Sequence, residues 1–171
     1  MLGYAAGVLE TVMTMSDGPR YEDDFYAWTR HQAMVLRTMA VADNRFDSEN
    51  IAEEIEDLGR SERDAVRSQI RRIIEHLLKL AYSPAQQPHF DWMASIVDAR
   101  AVLGDKISPT LRRDAEAVLA KLYRDARRQA ELALRGYGED QAAGALPKTC
   151  PYSLDDICRE DWYTEPPGDQ P

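Results

Sequence analysis

Glu62, Gln69 and His76 stand seven residues apart in a stretch otherwise rich in apolar side chains. On a helix a seven-residue step returns close to the same face, so the three stack along one seam. An acid, an amide and an imidazole in one row could hold a polar ligand or move a proton. The same three could instead form a satisfied buried network that fixes helix register, because polar groups at core positions destabilise unless they find partners. Gln32 and Gln129 also fall inside apolar stripes. Together these five residues make the candidate polar pocket.

Other constellations are weaker. The chain has three histidines, His31, His76 and His89, each on or near a different helix, so three helices could converge on one ion. The Glu-x-x-His pairs of carboxylate di-metal bundles are missing, since Ile73 precedes His76 and Trp28 precedes His31 at that spacing. The sequence therefore assigns no metal and no cofactor. Glu49, Glu53 and Asp57 form a ladder at i,i+4 spacing that could hold a hard cation. The commoner fate of such a ladder is a solvated face, or a meeting with arginines such as Arg127 or Arg128. Cys150 and Cys158 do not form a Cys-x-x-Cys or zinc pattern and read as structural thiols. Neither a Gly-rich phosphate loop nor a Gly-x-Ser-x-Gly elbow occurs.

Several helices must position these groups. Ile51, Ile55, Leu58, Ala65, Val66, Ile73, Leu77 and Leu80 recur mostly at threes, fours and sevens, which predicts one long helix over 48–82. Its first half is acidic and its second half basic, the order the helix dipole favours. Gly59 is the weak point, and Ser61 with Asp64 could cap a restart there. The uninterrupted apolar phase favours continuity, with a kink as the fallback. A first helix is expected over 21–41, with Phe25, Trp28, Val35, Leu36 and Met39 on its core face. A third is expected over 90–104 with Trp92, Ile96, Ala99 and Leu103. A fourth is expected over 109–135, started by Ser108-Pro109 and stopped by Gly136 and Gly138. Residues 139–163 form a proline-broken tail, too apolar to float free, with a short capped turn from Ser153 to Cys158. The tail is expected to pack across the bundle over Trp28 or Trp92. Residues 1–20 read as a peripheral extension, with translation starting at Met15, and residues 164–171 as a disordered end.

Composition narrows the function. With 44% hydrophobic residues the chain is ordinary globular material, long enough for a single domain with a real core. Lys plus Arg number 21 against 30 Asp plus Glu, a net charge of −9, which disfavours nucleic acid and anionic membranes as partners. There is no bilayer-spanning run and no secretory signal, so a reducing cytoplasm is expected.

The run Asp24-Phe25-Tyr26-Ala27-Trp28 and the longer Glu49-Asn50-Ile51-Ala52-Glu53-Glu54-Ile55-Glu56-Asp57-Leu58-Gly59-Arg60-Ser61-Glu62-Arg63 resemble a bacterial family of domains of unknown function, number twenty-nine. His76-Leu77-Leu78-Lys79-Leu80, Tyr123-Arg124-Asp125-Ala126 and Cys150-Pro151-Tyr152-Ser153-Leu154 fit the same pattern. The resemblance runs from about Tyr21 to Trp162 and implies an all-helical domain, with no assigned activity and no catalytic residues. Members tend to begin near their Tyr-Asp-Phe-Tyr-like start, so residues 1–14 depart from the pattern.

The expected fold is all-α: an antiparallel bundle of about four helices built on one long helix, with a packed tail. The leading functional expectation is a non-enzymatic protein-interaction or regulatory domain. Ile74 and Leu78 project away from the main stripe, so the tail, the third helix or a second subunit must cover them, and a homodimer is one form the partner could take. The alternative is a small-molecule or metal-dependent enzyme with its pocket at the Glu62/Gln69/His76 seam.

Overall fold

A computed structural model of the chain describes residues 18–39, 43 and 45–163. The expectations for the N-terminal extension up to residue 17 and for residues 164–171 lie outside these. Every regular element among the described residues is a helix: α1 (Phe25–Thr38), α2 (Ser48–Tyr82), α3 (His89–Lys106), α4 (Pro109–Gly136), α5 (Asp140–Ala145) and α6 (Leu154–Cys158). The described residues fall into two compact units, one ending at Gly59 and the other starting at Arg60, and α2 is a single helix over Ser48–Tyr82. Its 35 residues rise through about 50 Å. The capped restart at Ser61 is not used.

In the first unit, α1 begins at Phe25 rather than Tyr21. Asp24 is the N-cap, its side chain accepting from the Ala27 N–H at 2.9 Å. The buried face of α1 is Tyr26, Thr29 and Ala33, not the expected Phe25, Trp28, Val35, Leu36 and Met39, and Met39 is 53% exposed. Close approach to α2 explains this rotation. Gly59 lies directly under Thr29 and Tyr26, where a Cβ would meet the Thr29 hydroxyl. Such an approach selects small side chains, so the aromatics move to the flank. There Tyr21, Phe25 and Trp28 pack as a cluster, Tyr21 edge-on to both of the others. The same shift turns the first part of α2. Ala52 and Gly59 are buried, whereas Ile51 and Leu58, expected in the core, are 38% and 57% exposed. Arg37 spans the two helices, donating to Glu49 at 3.0 Å and to Glu56 at 2.7 Å. With Thr29 at Gly59 and Arg37 back at Glu49, α1 and this part of α2 run antiparallel.

In the second unit, α2 from Arg60 onward, α3 and α4 form an up-down-up bundle. Lys106 meets Glu62 and Arg72 reaches Ser95, which makes α3 antiparallel to α2. Arg67 forks onto Asp114 through two 2.8 Å hydrogen bonds, and Ser83 bonds Glu139, so α4 runs the same way as α2. The core holds Val66, Ile70, Ile73, Ile74, Leu77 and Leu78 of α2 with Ile96, Leu103, Leu111, Tyr123 and Leu134, all 0–1% exposed. Ile74 and Leu78 lie on the Arg67 side of α2, so the fold itself covers the second apolar face. Ser108 caps α4 with Pro109 at N1, and Gly138, at φ 77°, closes its end.

The tail packs on α3 and α4. Its turn at α6 carries the expected capping box between Ser153 and Asp156. Within the second unit the tail's contacts are not those of the expected cover over Trp92. Trp92 packs with His89, Tyr137 and the Lys79 ammonium. The tail is held instead by Arg100, buried on α3, which donates to the carbonyls of Ile157, Asp156 and Glu160 at 2.9, 3.2 and 3.1 Å. A second hold comes from α4, where the Tyr123 hydroxyl and Arg127 Nε both donate to the Pro147 carbonyl, at 2.6 and 2.9 Å. Burial pushes the Tyr123 phenol up to about 12.

Candidate functional site

Glu62, Gln69 and His76 lie along one side of α2, all half-buried, and successive members are about 10.5 Å apart along the axis. At that spacing they do not converge on a single point, and each has its own surroundings. Glu62 accepts a 2.7 Å hydrogen bond from the Lys106 ammonium of α3. Gln69 Oε1 is buried without a hydrogen-bond partner, and so is His76 Nδ1. Burial, with Lys79 next in effect, pulls the His76 imidazole down to about 4 from its ordinary 6.5, so it is neutral at pH 7.

Linkage turns that shift into a measurable pH dependence. Between about pH 6.5 and 4 the unfolded chain binds a proton at His76 that the folded chain refuses, so stability falls as pH falls through this window. Allowing for the partial exposure of the ring, the loss attributable to His76 is about 1–2 kcal/mol. Urea midpoints measured from pH 7 to 4 should fall more steeply for the native chain than for His76→Gln. Parallel curves would refute the assignment.

Each of the remaining candidates has its own surroundings. Gln129 is exposed on α4 and, with Ser68, Arg71, Arg72, Glu75 and Asp125, lines a polar groove of about 210 Å³ between α2 and α4. Gln32 is half-buried on α1, in the first unit. The expectation that Gln32 and Gln129 share a pocket with the seam is therefore not met by Gln129, which faces this outer groove because the α2–α4 contact places it beyond the packed edge. Among the histidines, His31 packs against Gly18, and His89 is half-buried at the start of α3 against Trp92. Among the described residues no three His, Cys, Asp or Glu side chains come together to hold a metal ion. In the acidic ladder Glu49 is taken by Arg37 of α1, and within the second unit Arg127 donates to the tail and to Glu131. Both thiols are free and half-buried, and burial raises the pKa of each, the opposite of an activated nucleophile.

The sequence reading missed a second stripe on α3. Trp92, Ile96, Ala99 and Leu103 face the core as expected. On the opposite side Phe90 is 81%, Val97 52% and Met93 38% exposed, and Ala94, Ala101 and Gly104 continue the row. The signal was present, since Phe90, Val97 and Gly104 recur at sevens, but the first stripe alone accounted for the helix. An apolar concavity of about 290 Å³, lined by Ile51, Ile55 and Leu58 with Asn50 and Glu54, marks the first part of α2. None of the helices among the described residues is long and apolar enough to cross a membrane.

A family model described as "Domain of unknown function DUF29" matches residues 20–163. The chain is similar to a solved alpha-helical protein of unknown function from Rhodospirillum rubrum, with 29% identity and a TM-score of 0.74 over 84% of this chain and 92% of that one. No curated protein matches.

Proposed function

Taking as premise that the chain belongs to the family of the domain of unknown function DUF29, we propose that it is a protein-interaction domain of the bacterial cytoplasm. One observation carries the reading: α3 is apolar on both sides, and its outer row of Phe90, Met93 and Val97 stands in solvent. A continuous apolar row on a rigid helix costs solubility unless something covers it, and such rows are where helical partners dock. A photo-crosslinking residue at position 97, introduced in the native host, should yield adducts of discrete mass. The same residue at Lys121, exposed on the polar face of α4, should not. Indistinguishable patterns from the two positions would sink the reading.

The seam supports a second reading, a small-molecule or metal-dependent enzyme, because Gln69 Oε1 and His76 Nδ1 are polar atoms held in the interior without partners. Elemental analysis of untagged protein separates the two: stoichiometric zinc, iron or manganese would move the assignment to the seam.

A further inference from the structure

The partner of the α3 face can be described chemically, an inference that rests on the interaction reading. Phe90, Val97, Ala101, Gly104 and Met93 fall within about 40° of one line down α3 at about 100° per residue. On one flank of the helix, about 80–120° round from that line, run Asp105, Asp98 and Asp91, again at sevens and all exposed, with Asp105 nearest the row. A partner helix lying in the row would bring its own flanking positions over these carboxylates at intervals of about 10.5 Å. Two small positions at the far end, Ala101 and Gly104, let a helix come close, and a Cβ at Gly104 would touch nothing.

From this geometry we infer that the outer face of α3 docks a basic amphipathic helix, one with an apolar ridge and Lys or Arg along the edge that meets Asp91, Asp98 and Asp105. Charge weighs against an antiparallel second copy and against an anionic surface. A second copy in antiparallel two-fold contact would set the two acid rows on the same side of the interface, adding local repulsion to a net charge of −9 on each chain. An anionic bilayer meets the same repulsion. A lysine- or arginine-edged helix turns this row into a selectivity element, attracting the right partner and refusing acidic ones.

The probe is a synthetic amphipathic peptide of roughly three heptads with a leucine ridge and lysine edges, compared with its glutamate-edged counterpart. Titration against the full chain should give binding of the lysine peptide at least about tenfold tighter than the glutamate peptide, weakening as salt rises. Val97→Asn or Phe90→Ser should lower that affinity about tenfold or more without altering the circular dichroism of the free chain. The triple change Asp91→Asn, Asp98→Asn, Asp105→Asn should remove the preference and most of the salt dependence. Equal binding of both peptides, still lost in Val97→Asn, would overturn the charge assignment and leave the interaction reading standing. Lysine-peptide binding indifferent to Val97→Asn would overturn the α3 site. A native dimer by light scattering that Val97→Asn dissociates and salt strengthens would give the face to a second copy instead. A monomer that binds neither peptide would remove both the inference and the reading beneath it.

Discussion

Arg100→Met is expected to destabilise the chain by about 3 kcal/mol, close to the upper range for losing one buried charged donor. The methionine fills much of the same volume but supplies no hydrogen for the carbonyls of Ile157, Asp156 and Glu160, and the buried one is left unsatisfied. It also removes the guanidinium from the Tyr163 ring, 5.4 Å away. In thermal unfolding the change corresponds to a drop of roughly 6–12 °C for a chain of this size. Arg100→Lys should recover little, since one ammonium cannot reach three carbonyls spread along a turn. Cys158 gives an internal readout. Its thiol is half-buried in α6 and its pKa is raised by burial, so release of the tail should speed its alkylation. A variant within 1 kcal/mol of the native chain, with unchanged thiol reactivity, would show that the tail is held by other contacts.

The second large effect is at Gly59. At an ordinary helix position Gly→Ala stabilises by about 1 kcal/mol. Here the sign should reverse, and Gly59→Ala should cost about 2 kcal/mol net, because the new methyl enters the space of the Thr29 hydroxyl and comes within 3.2 Å of the Thr29 Cβ. Thr29 is fully buried and its hydroxyl already donates to the Tyr26 carbonyl at 2.8 Å, so it cannot simply swing away. Combining Gly59→Ala with Thr29→Ala should recover part of the loss, a favourable coupling visible in a double-mutant cycle by urea unfolding. Hydrogen exchange should locate the damage in α1. If the single change stabilises the chain, the close contact between α1 and α2 is wrong.

Much of the architecture was legible because helical punctuation is local. Ser108-Pro109 and the Ser153–Asp156 box place helix starts from four-residue patterns, and both start helices where expected. The long helix was legible from its unbroken apolar phase. What failed was the choice of face where side chains are small. Periodicity weights large residues, so it selected Phe25, Trp28, Ile51 and Leu58, whereas the buried positions are Thr29, Ala33, Ala52 and Gly59, with Gly59 against Thr29 and Tyr26. The glycine read as a weakness in the helix is the residue that allows the contact. The seam was legible as a line but not as a site. A spacing of seven fixes a direction on the helix and says nothing of what waits opposite, and only Glu62 meets a charged partner there. The outer row on α3 went unread because one satisfied stripe hid another.

The Arg100 lock joins residues 56 to 60 positions apart, while the helices it ties together are built from bonds four residues apart. Local segments of this kind assemble early, and a contact that needs so long a loop closed is among the last to form. Its strength should therefore appear almost wholly in the rate of opening: weakening it would hasten unfolding while the refolding rate hardly changes. The tail then acts as a latch on the lifetime of the native state rather than as a guide to reaching it.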